Sequence, residues 1–200
     1  MIKPVYQDSF RHHNSIPFMN QEMSDIVRRL ENETKDKTLA QSLYIGPTAL
    51  THIKRIMETG GSFIFDTTLL SRSIHLPAHA VGNVRLLSFI DDMQVMKLAE
   101  QRHITRAEIA VDYGLAVSGP KLMIVGSAPS AINRLLMRRT HEPMSDVCVL
   151  AAPSGFASVV QLKERLIDSD LSSIVLRGKQ GGIPATIAVM NSILQEISRT

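Results

Sequence analysis

The stretch KLMIVGSAPSAINRLLMRR, residues 121–139, joins a continuous apolar run to an amphipathic segment through a short loop of small residues. The same order returns in VCVLAAPSGFASVVQLKERLI, residues 147–167, and in SSIVLRGKQGGIPATIAVMNSIL, residues 172–194. Apolar runs without alternation are typical of strands that are covered on both faces. A helix between successive strands is the connection that parallel pairing requires. The three copies therefore predict an α/β fold, with three α/β/α layers and a mostly parallel central sheet of about five strands.

Each of the three loops connects the end of a strand to the start of a helix. Ligands of open parallel sheets lie outside the carboxyl ends of the strands, where the first N–H groups of each helix lack partners and the helix dipole is positive. We therefore expect three helix starts that suit carboxylates or phosphates. Ser130 is a predicted N-cap for a helix that begins near Ala131. Gly155, Gly181 and Gly182 either let the backbone approach a ligand or simply turn the chain.

Composition limits the class of protein. Two hundred residues with 44% hydrophobic content suffice for one core, and no linker-like tract divides residues 1–200, so a single domain is predicted. A net charge of +3 and the absence of Trp disfavour a nucleic-acid partner. The sequence has no apolar run of about eighteen residues and no N-terminal signal segment, which predicts a cytoplasmic protein without a membrane partner. Residues 1–19 are predicted to form an irregular N-terminal arm.

The motifs of several common classes of enzyme are missing from the sequence. No GxGxxG follows a strand, and neither a P-loop nor a GxSxG elbow occurs. Cys148 is the only cysteine and lies in an apolar run, which predicts a buried thiol rather than a disulfide or a zinc site. His75 and His79 are four residues apart, but Pro77 between them breaks the helix that a shared metal ion would need. Neither a metal nor a cofactor is predicted.

Two charged residues lie near predicted helix starts. Arg106 opens a predicted helix, where a cation opposes the helix dipole. It either binds an external acid or forms a surface pair with Glu108 or Glu100. Asp66 ends the predicted strand SFIFD, and either Asp66 or Thr67 is a candidate N-cap for the helix that follows.

Five segments, in this order, resemble the precorrin-8X methylmutase family: GGSFIFD at 60–66, TRAEIA at 105–110, VGSAPSAI at 125–132, PSGFASVVQLK at 153–163 and RGKQGGIPATIAVMNSI at 177–193. The similarity runs over residues 47–197. The resemblance implies an α/β fold, a homodimer and a corrin ligand whose acetate and propionate arms meet loops and helix ends near the subunit interface. The residues that it implies for substrate binding are Asp66, Arg106, Ser127, Ala128, Pro129, Ser130, Gly155, Phe156, Lys163, Gly181 and Gly182.

The resemblance also implies a reaction. The family moves a methyl group from ring carbon eleven to ring carbon twelve without metal or nucleotide, which converts precorrin-8X to hydrogenobyrinic acid; a cobalt form serves the anaerobic route. A general acid protonates the ring system while the pocket fixes its geometry. The family's acid is a histidine in a helix before Pro47, and counting back from Gly46 places that position at Asn32. Because Asn is no acid near neutral pH, Glu31 or Glu33 is a candidate substitute if its pKa is raised.

Three functions are therefore compatible with the sequence. The first is an isomerase of corrin-ring biosynthesis, and the second is a catalytically silent relative that binds or delivers a corrinoid. The third is an α/β protein for another polyanionic small ligand, such as a nucleotide. The ring-binding half matches the family better than the catalytic half. Departures from the family pattern are Val159, Val160 and Gln161 ahead of Lys163, and Ile183 and Pro184 after the paired glycines.

Overall fold

A six-stranded sheet forms the centre of the protein in the computed structural model, which describes residues 20–199. The order across the sheet is β1-β6-β5-β4-β2-β3. β1 runs antiparallel to β6 and every other pair is parallel, so the predicted α/β fold with a mostly parallel sheet is confirmed. The arm predicted for residues 1–19 lies outside the described residues. The strands are β1 (Leu43–Ile45), β2 (Gly61–Phe65), β3 (Val84–Ser88), β4 (Lys121–Val125), β5 (Val147–Ala151) and β6 (Ser172–Leu176).

Helices cover both faces of the sheet. Within residues 20–199 they are α1 (Gln21–Thr34), α2 (Lys37–Gln41), α3 (Ala49–Thr59), α4 (Thr68–Ser73), α5 (Met93–Arg102), α6 (Arg106–Ala116), α7 (Pro129–Arg139), α8 (Ala157–Ile167) and α9 (Ile183–Ile197). Helices α1, α3, α4 and α9 pack on one face, α6, α7 and α8 pack on the other, and α5 packs on α6. Among these helices, none combines the length and the hydropathy that crossing a membrane requires.

Successive residues of the central strands point into two different cores. In β4, Leu122 and Ile124 belong to the cluster under α1, α3 and α9, whereas Met123 and Val125 belong to the cluster under α6, α7 and α8. All four side chains are buried, and each such burial contributes about 1.5–3 kcal/mol. Because helices cover both faces of these strands, the runs are apolar without alternation. The same packing fixes the strand ends from which the loops extend.

The structure adds one strand to the sheet of about five that was predicted, and it corrects one predicted helix cap. The sheet has a sixth strand, β1, whose three residues LYI are too few to show a periodic pattern. Ser130 is not the N-cap of α7, because the cap is Ala128 and Pro129 is the first helical residue. Proline is favoured at that position since its fixed φ suits the helix and its missing N–H would be unbonded there in any case. The helix therefore begins two residues before Ala131.

Candidate active site

The strand order reverses between β2 and β4. From β2 the chain continues to its neighbour β3 on one side, whereas β4, β5 and β6 follow one another on the other side. In open α/β sheets a ligand crevice forms outside the carboxyl ends of the strands at such a point. Asp66 follows β2 there, Ser127 follows β4, and Gly155 and Gly181 come after β5 and β6. The fold thus brings residues predicted from four separate segments to one edge of the sheet.

Asp66 bridges this reversal point. Its Oδ2 accepts the backbone N–H groups of Ser127 at 2.7 Å and of Ala128 at 2.8 Å. The alternative cap, Thr67, is the one that caps α4, since its hydroxyl accepts the N–H of Leu70 at 3.2 Å. One of the three predicted anion-binding helix starts, that of α7, is therefore already occupied by a carboxyl group of the protein.

The starts of α8 and α9 are open. Their N-cap residues, Phe156 and Gly182, provide no side-chain cap within the described residues. Uncapped N–H groups at the positive end of a helix dipole favour an anion. The side chain of Phe156 is 83% exposed at the start of α8. This part of the edge therefore combines two helix starts for acidic groups with an apolar ring that has no cover in the described structure.

The loops after β5 and β6 are locked together. The N–H of Gly155 donates to the carbonyl of Lys179 at 3.1 Å, and the N–H of Gly182 donates to the carbonyl of Ala152 at 2.7 Å. Gly181 has a φ of +153°, and a Cβ at this position would lie 2.2 Å from the carbonyl oxygen of Ala152. Only glycine permits so close an approach, so the two loops form one unit.

Lys163 supports this unit from inside the protein. Its side chain is fully buried, and its Nζ donates to the carbonyl of Gly178 at 3.0 Å and to that of Gln180 at 2.9 Å. Burial lowers the pKa of Lys163 to about 8, and the negative charge of Glu164 opposes that shift. The ammonium group therefore holds the loop after β6, and the predicted contact of Lys163 with a substrate stays a prediction.

Arg106 stands exposed at the first position of α6. The predicted alternative was a surface pair with Glu108 or Glu100, but among the described residues neither pairing forms. Glu108 closes a capping box instead, since its Oε2 accepts the N–H of Thr105 at 2.9 Å and the hydroxyl of Thr105 at 2.7 Å. The Thr105 hydroxyl also lies 3.0 Å from that of Ser130. Arg106 is therefore held beside the start of α7 with its guanidinium open to solvent.

The last turn of α1 reaches the same edge. Asn32 is exposed there. Its neighbour Glu33 accepts a hydrogen bond from the Nδ2 of Asn191 at 3.1 Å. Asp36, just beyond the helix, accepts one from the Nε2 of Gln180 at 3.0 Å. These contacts place Asn32 within one helical turn of residues that touch α9 and the loop after β6.

Asp36 and Gln180 were not predicted from the sequence. An Asp ahead of a short helix signals only a local cap, and Asp36 does cap α2 by accepting the N–H of Leu39 at 2.9 Å. Its second partner lies 144 residues away in the chain. No local pattern carries that information, because the contact depends on how α1 packs against α9.

Residues with metal-binding side chains are scattered. Residues 20–199 contain no group of three or more His, Cys, Asp and Glu placed to hold a metal ion. His79 lies in a short 3₁₀ turn, Ala78–Ala80, and Pro77 separates it from His75. The predicted burial of Cys148 is confirmed, and burial raises the pKa of its thiol to about 12.

Comparison with known proteins identifies the family. The sequence profile of the family described as precorrin-8X methylmutase matches residues 5–196. The chain belongs to the precorrin-8X methylmutase family.

Individual relatives are distant but span most of the chain. A cobalt-precorrin-8 methylmutase of Salmonella typhimurium is 27% identical over 173 residues, which cover 86% of this chain and 80% of that protein. One from Methanothermobacter thermautotrophicus is 24% identical over 169 residues, with 84% and 78% covered. A precorrin-8X methylmutase of Sinorhizobium sp is 20% identical over 194 residues, with 94% and 92% covered.

Solved structures agree on the fold. A precorrin-8X methylmutase related protein superposes with a TM-score of 0.81 at 19% identity, covering 90% of this chain and 94% of that one. The precorrin-8X methylmutase from Thermus thermophilus gives a TM-score of 0.77 at 19% identity, with 92% and 90% covered. For this member of the precorrin-8X methylmutase family, the segments that carry the resemblance contribute their loops and helix starts to one edge of the sheet.

Proposed function

We propose that the protein is a corrin-ring isomerase that moves a methyl group from ring carbon eleven to ring carbon twelve. Its substrate is precorrin-8X or the cobalt-containing form, and its product is hydrogenobyrinic or cobyrinic acid. The observation that carries the proposal is the family match over residues 5–196. The reaction rearranges one molecule, so no second substrate is required.

The geometry of the carboxyl edge supports a ligand with several acidic arms. The uncapped starts of α8 and α9 offer N–H groups at two places, and Arg106 offers a guanidinium at a third. Phe156 is exposed next to one of these starts, and its apolar ring suits the face of a macrocycle. In this proposal the acidic arms fix the ring in one orientation, so that the migrating methyl lies in line with its acceptor carbon.

The proton donor is the least conventional part of the site. The position that the family fills with histidine falls on Asn32, whose amide has no acidic proton near neutral pH. Glu31 and Glu33 flank that position, and Glu33 is bonded to Asn191 of α9 at 3.1 Å. We propose Glu33 as the acid, because that hydrogen bond holds its carboxyl group at the end of α1 nearest the loop after β6.

Turnover of purified protein tests the proposal. Incubation with precorrin-8X, and separately with cobalt-precorrin-8, should give a product of unchanged mass with a shifted visible spectrum, because the methyl shift rearranges ring conjugation. Glu33→Gln should lower kcat while leaving KM nearly unchanged, and Glu31→Gln is the matched control. Tight binding of either substrate without any product would refute the isomerase.

Asn32 favours a second function. A relative that has lost its acid would still bind a corrinoid and would serve to hold or deliver it. In that case the wild type binds hydrogenobyrinic acid without turning over precorrin-8X, and Asn32→His introduces turnover. If the protein has no affinity for any corrinoid, both functions are excluded.

We also propose a homodimer, as the family resemblance implies. Leu69 in α4, Met93 in α5 and Phe156 at α8 are exposed apolar side chains that follow three different strands at the carboxyl edge. Light scattering during size exclusion should give twice the chain mass of 22.1 kDa. A mass of one chain at micromolar concentration would contradict the dimer.

A further inference from the structure

The buried carboxyl group of Asp66 lies at the point where the strand order reverses. Asp66 is only 7% exposed, so its role is not that of a surface acid. One oxygen, Oδ2, accepts two backbone N–H groups, those of Ser127 and Ala128. The other oxygen, Oδ1, is buried without a hydrogen-bond partner in the described structure. Both hydrogen bonds of this carboxyl group therefore go to the loop after β4.

These two hydrogen bonds define where α7 begins. Ser127 and Ala128 are the residues just before its first helical residue, Pro129, which has no N–H of its own. A carboxyl group at a helix start is favourable because it meets the positive end of the dipole. Burial raises the pKa of Asp66, and its hydrogen bonds to backbone N–H groups oppose the shift. The start of α7 is thus fixed from within the protein.

The start of α7 in turn holds the start of α6. Ser130, in the first turn of α7, lies within hydrogen-bond distance of the Thr105 hydroxyl, at 3.0 Å. Thr105 is the N-cap of α6, and Arg106 is the next residue. A short series of contacts therefore leads from Asp66 through α7 to the backbone that carries the exposed guanidinium.

We propose that Asp66 is a positioning residue that sets the place of Arg106 through the start of α7, and does not itself touch the ligand. The proposal rests on the proposed function, since Arg106 is taken to bind an acidic arm of a corrinoid. It predicts that what matters at residue 66 is an acceptor for two N–H groups rather than a negative charge in the crevice.

Three measurements of hydrogenobyrinic acid affinity test this role. Asp66→Ala removes the acceptor and should weaken binding about tenfold, the scale of a lost hydrogen bond to a buried group. Asp66→Asn keeps one acceptor oxygen and should remain within about threefold of wild type. Formate at about 100 mM should restore binding to Asp66→Ala by occupying the vacated space at the helix start, whereas sodium chloride of equal ionic strength should not. Equal losses in both variants without rescue by formate would overturn the proposal, because they would indicate a charge that meets the ligand.

Coupling to Arg106 supplies the second test. In an Arg106→Ala background, Asp66→Ala should lower affinity less than about twofold, since residues that act through one another are not additive. Ser130→Ala removes the middle contact and should weaken binding about threefold in the wild type and not at all in Arg106→Ala. Full additivity of Asp66→Ala with Arg106→Ala would show that Asp66 acts independently.

Amide hydrogen exchange of the ligand-free wild type completes the test and needs no variant to fold. The amides of Ser127 and Ala128 should exchange at least about tenfold more slowly than those of Ala157 and Ser158 at the uncapped start of α8. Equal rates would overturn the anchoring role. Slow exchange in a protein without corrinoid affinity would reject the proposed ligand while keeping Asp66 as the anchor of the loop.

Discussion

Arg106 occupies a position that costs free energy within its own helix. A cation in the first turn opposes the dipole, and the acid two residues further along the helix, Glu108, is bonded to Thr105 instead. We expect Arg106→Ala to weaken hydrogenobyrinic acid binding by about 1.5–3 kcal/mol, the range for a hydrogen bond between charged groups. Calorimetric titration measures the change, and Arg165→Ala on the exposed part of α8 is the matched control. An unchanged affinity would show that Arg106 is an ordinary surface residue that does not bind the ligand.

The pKa of Lys163 gives a pH-dependent prediction at the same scale. Burial lowers the pKa of Lys163 to about 8 from a usual value of 10.5. Between those pH values the unfolded chain holds the proton and the folded chain does not, so this group makes stability rise with pH. Relative to Lys163→Met, the free energy of unfolding of the wild type should rise by up to about 1.4 kcal/mol per pH unit above pH 8. Urea unfolding at several pH values checks this, with Lys97→Met as an exposed control; a flat difference contradicts it.

Asp66 and Lys163 also indicate how far single residues can be understood from sequence. Both match motifs of the family, and the resemblance alone implies that both bind substrate. In the structure both are buried, Asp66 against two backbone N–H groups and Lys163 against two carbonyls. A motif gives the residue type and its place in the chain, but the direction of a side chain depends on packing between distant elements.

The two loops that follow β5 and β6 behave as one element. Gly181→Ala would place a Cβ 2.2 Å from the backbone carbonyl oxygen of Ala152, at a φ of +153°. Neither atom can move without separating the loops, so we expect a loss of about 2–4 kcal/mol in the free energy of unfolding. Gly178→Ala is the matched control: its φ is +73° and nothing lies within 4 Å, which leaves a backbone cost of about 1–2 kcal/mol.

Urea unfolding of both variants separates close approach from backbone conformation. If Gly178→Ala and Gly181→Ala lose the same free energy, the contact with Ala152 contributes nothing and the loops are not locked. Corrinoid affinity should also fall in Gly181→Ala, because the start of α9 moves with the loop, and should be preserved in Gly178→Ala.

At the scale of elements, prediction succeeded where burial leaves a strong pattern. The runs that became β4, β5 and β6 are apolar on both faces because both faces are covered, and that pattern survives in the sequence. β1 has only three residues and pairs with β6, which lies more than a hundred residues away in the chain. This pairing, and not a local sequence pattern, makes the segment a strand. The start of α7 was misplaced because proline at the first helical position left no polar cap to recognise.

Considered as a whole, the protein brings its candidate ligand-binding groups to one edge of the sheet. Both faces of the sheet are closed by apolar packing. The uncapped starts of α8 and α9 and the exposed Arg106 lie at the edge where the parallel strands end. Family membership and this edge together favour a polyanionic ring over a nucleotide, because no glycine-rich phosphate motif accompanies the helix starts.

A ligand that binds only the folded state raises the stability of the whole molecule. At a hundred times its dissociation constant, hydrogenobyrinic acid should add about 2.7 kcal/mol, which raises Tm by about 5–10 °C for a chain of 200 residues. A corrin whose arms are amides should raise Tm much less, since helix starts and Arg106 favour charged oxygens. Thermal unfolding with both corrins and with ATP makes the comparison in one experiment. A rise with ATP alone would assign the edge to nucleotides and reject the corrin ligand.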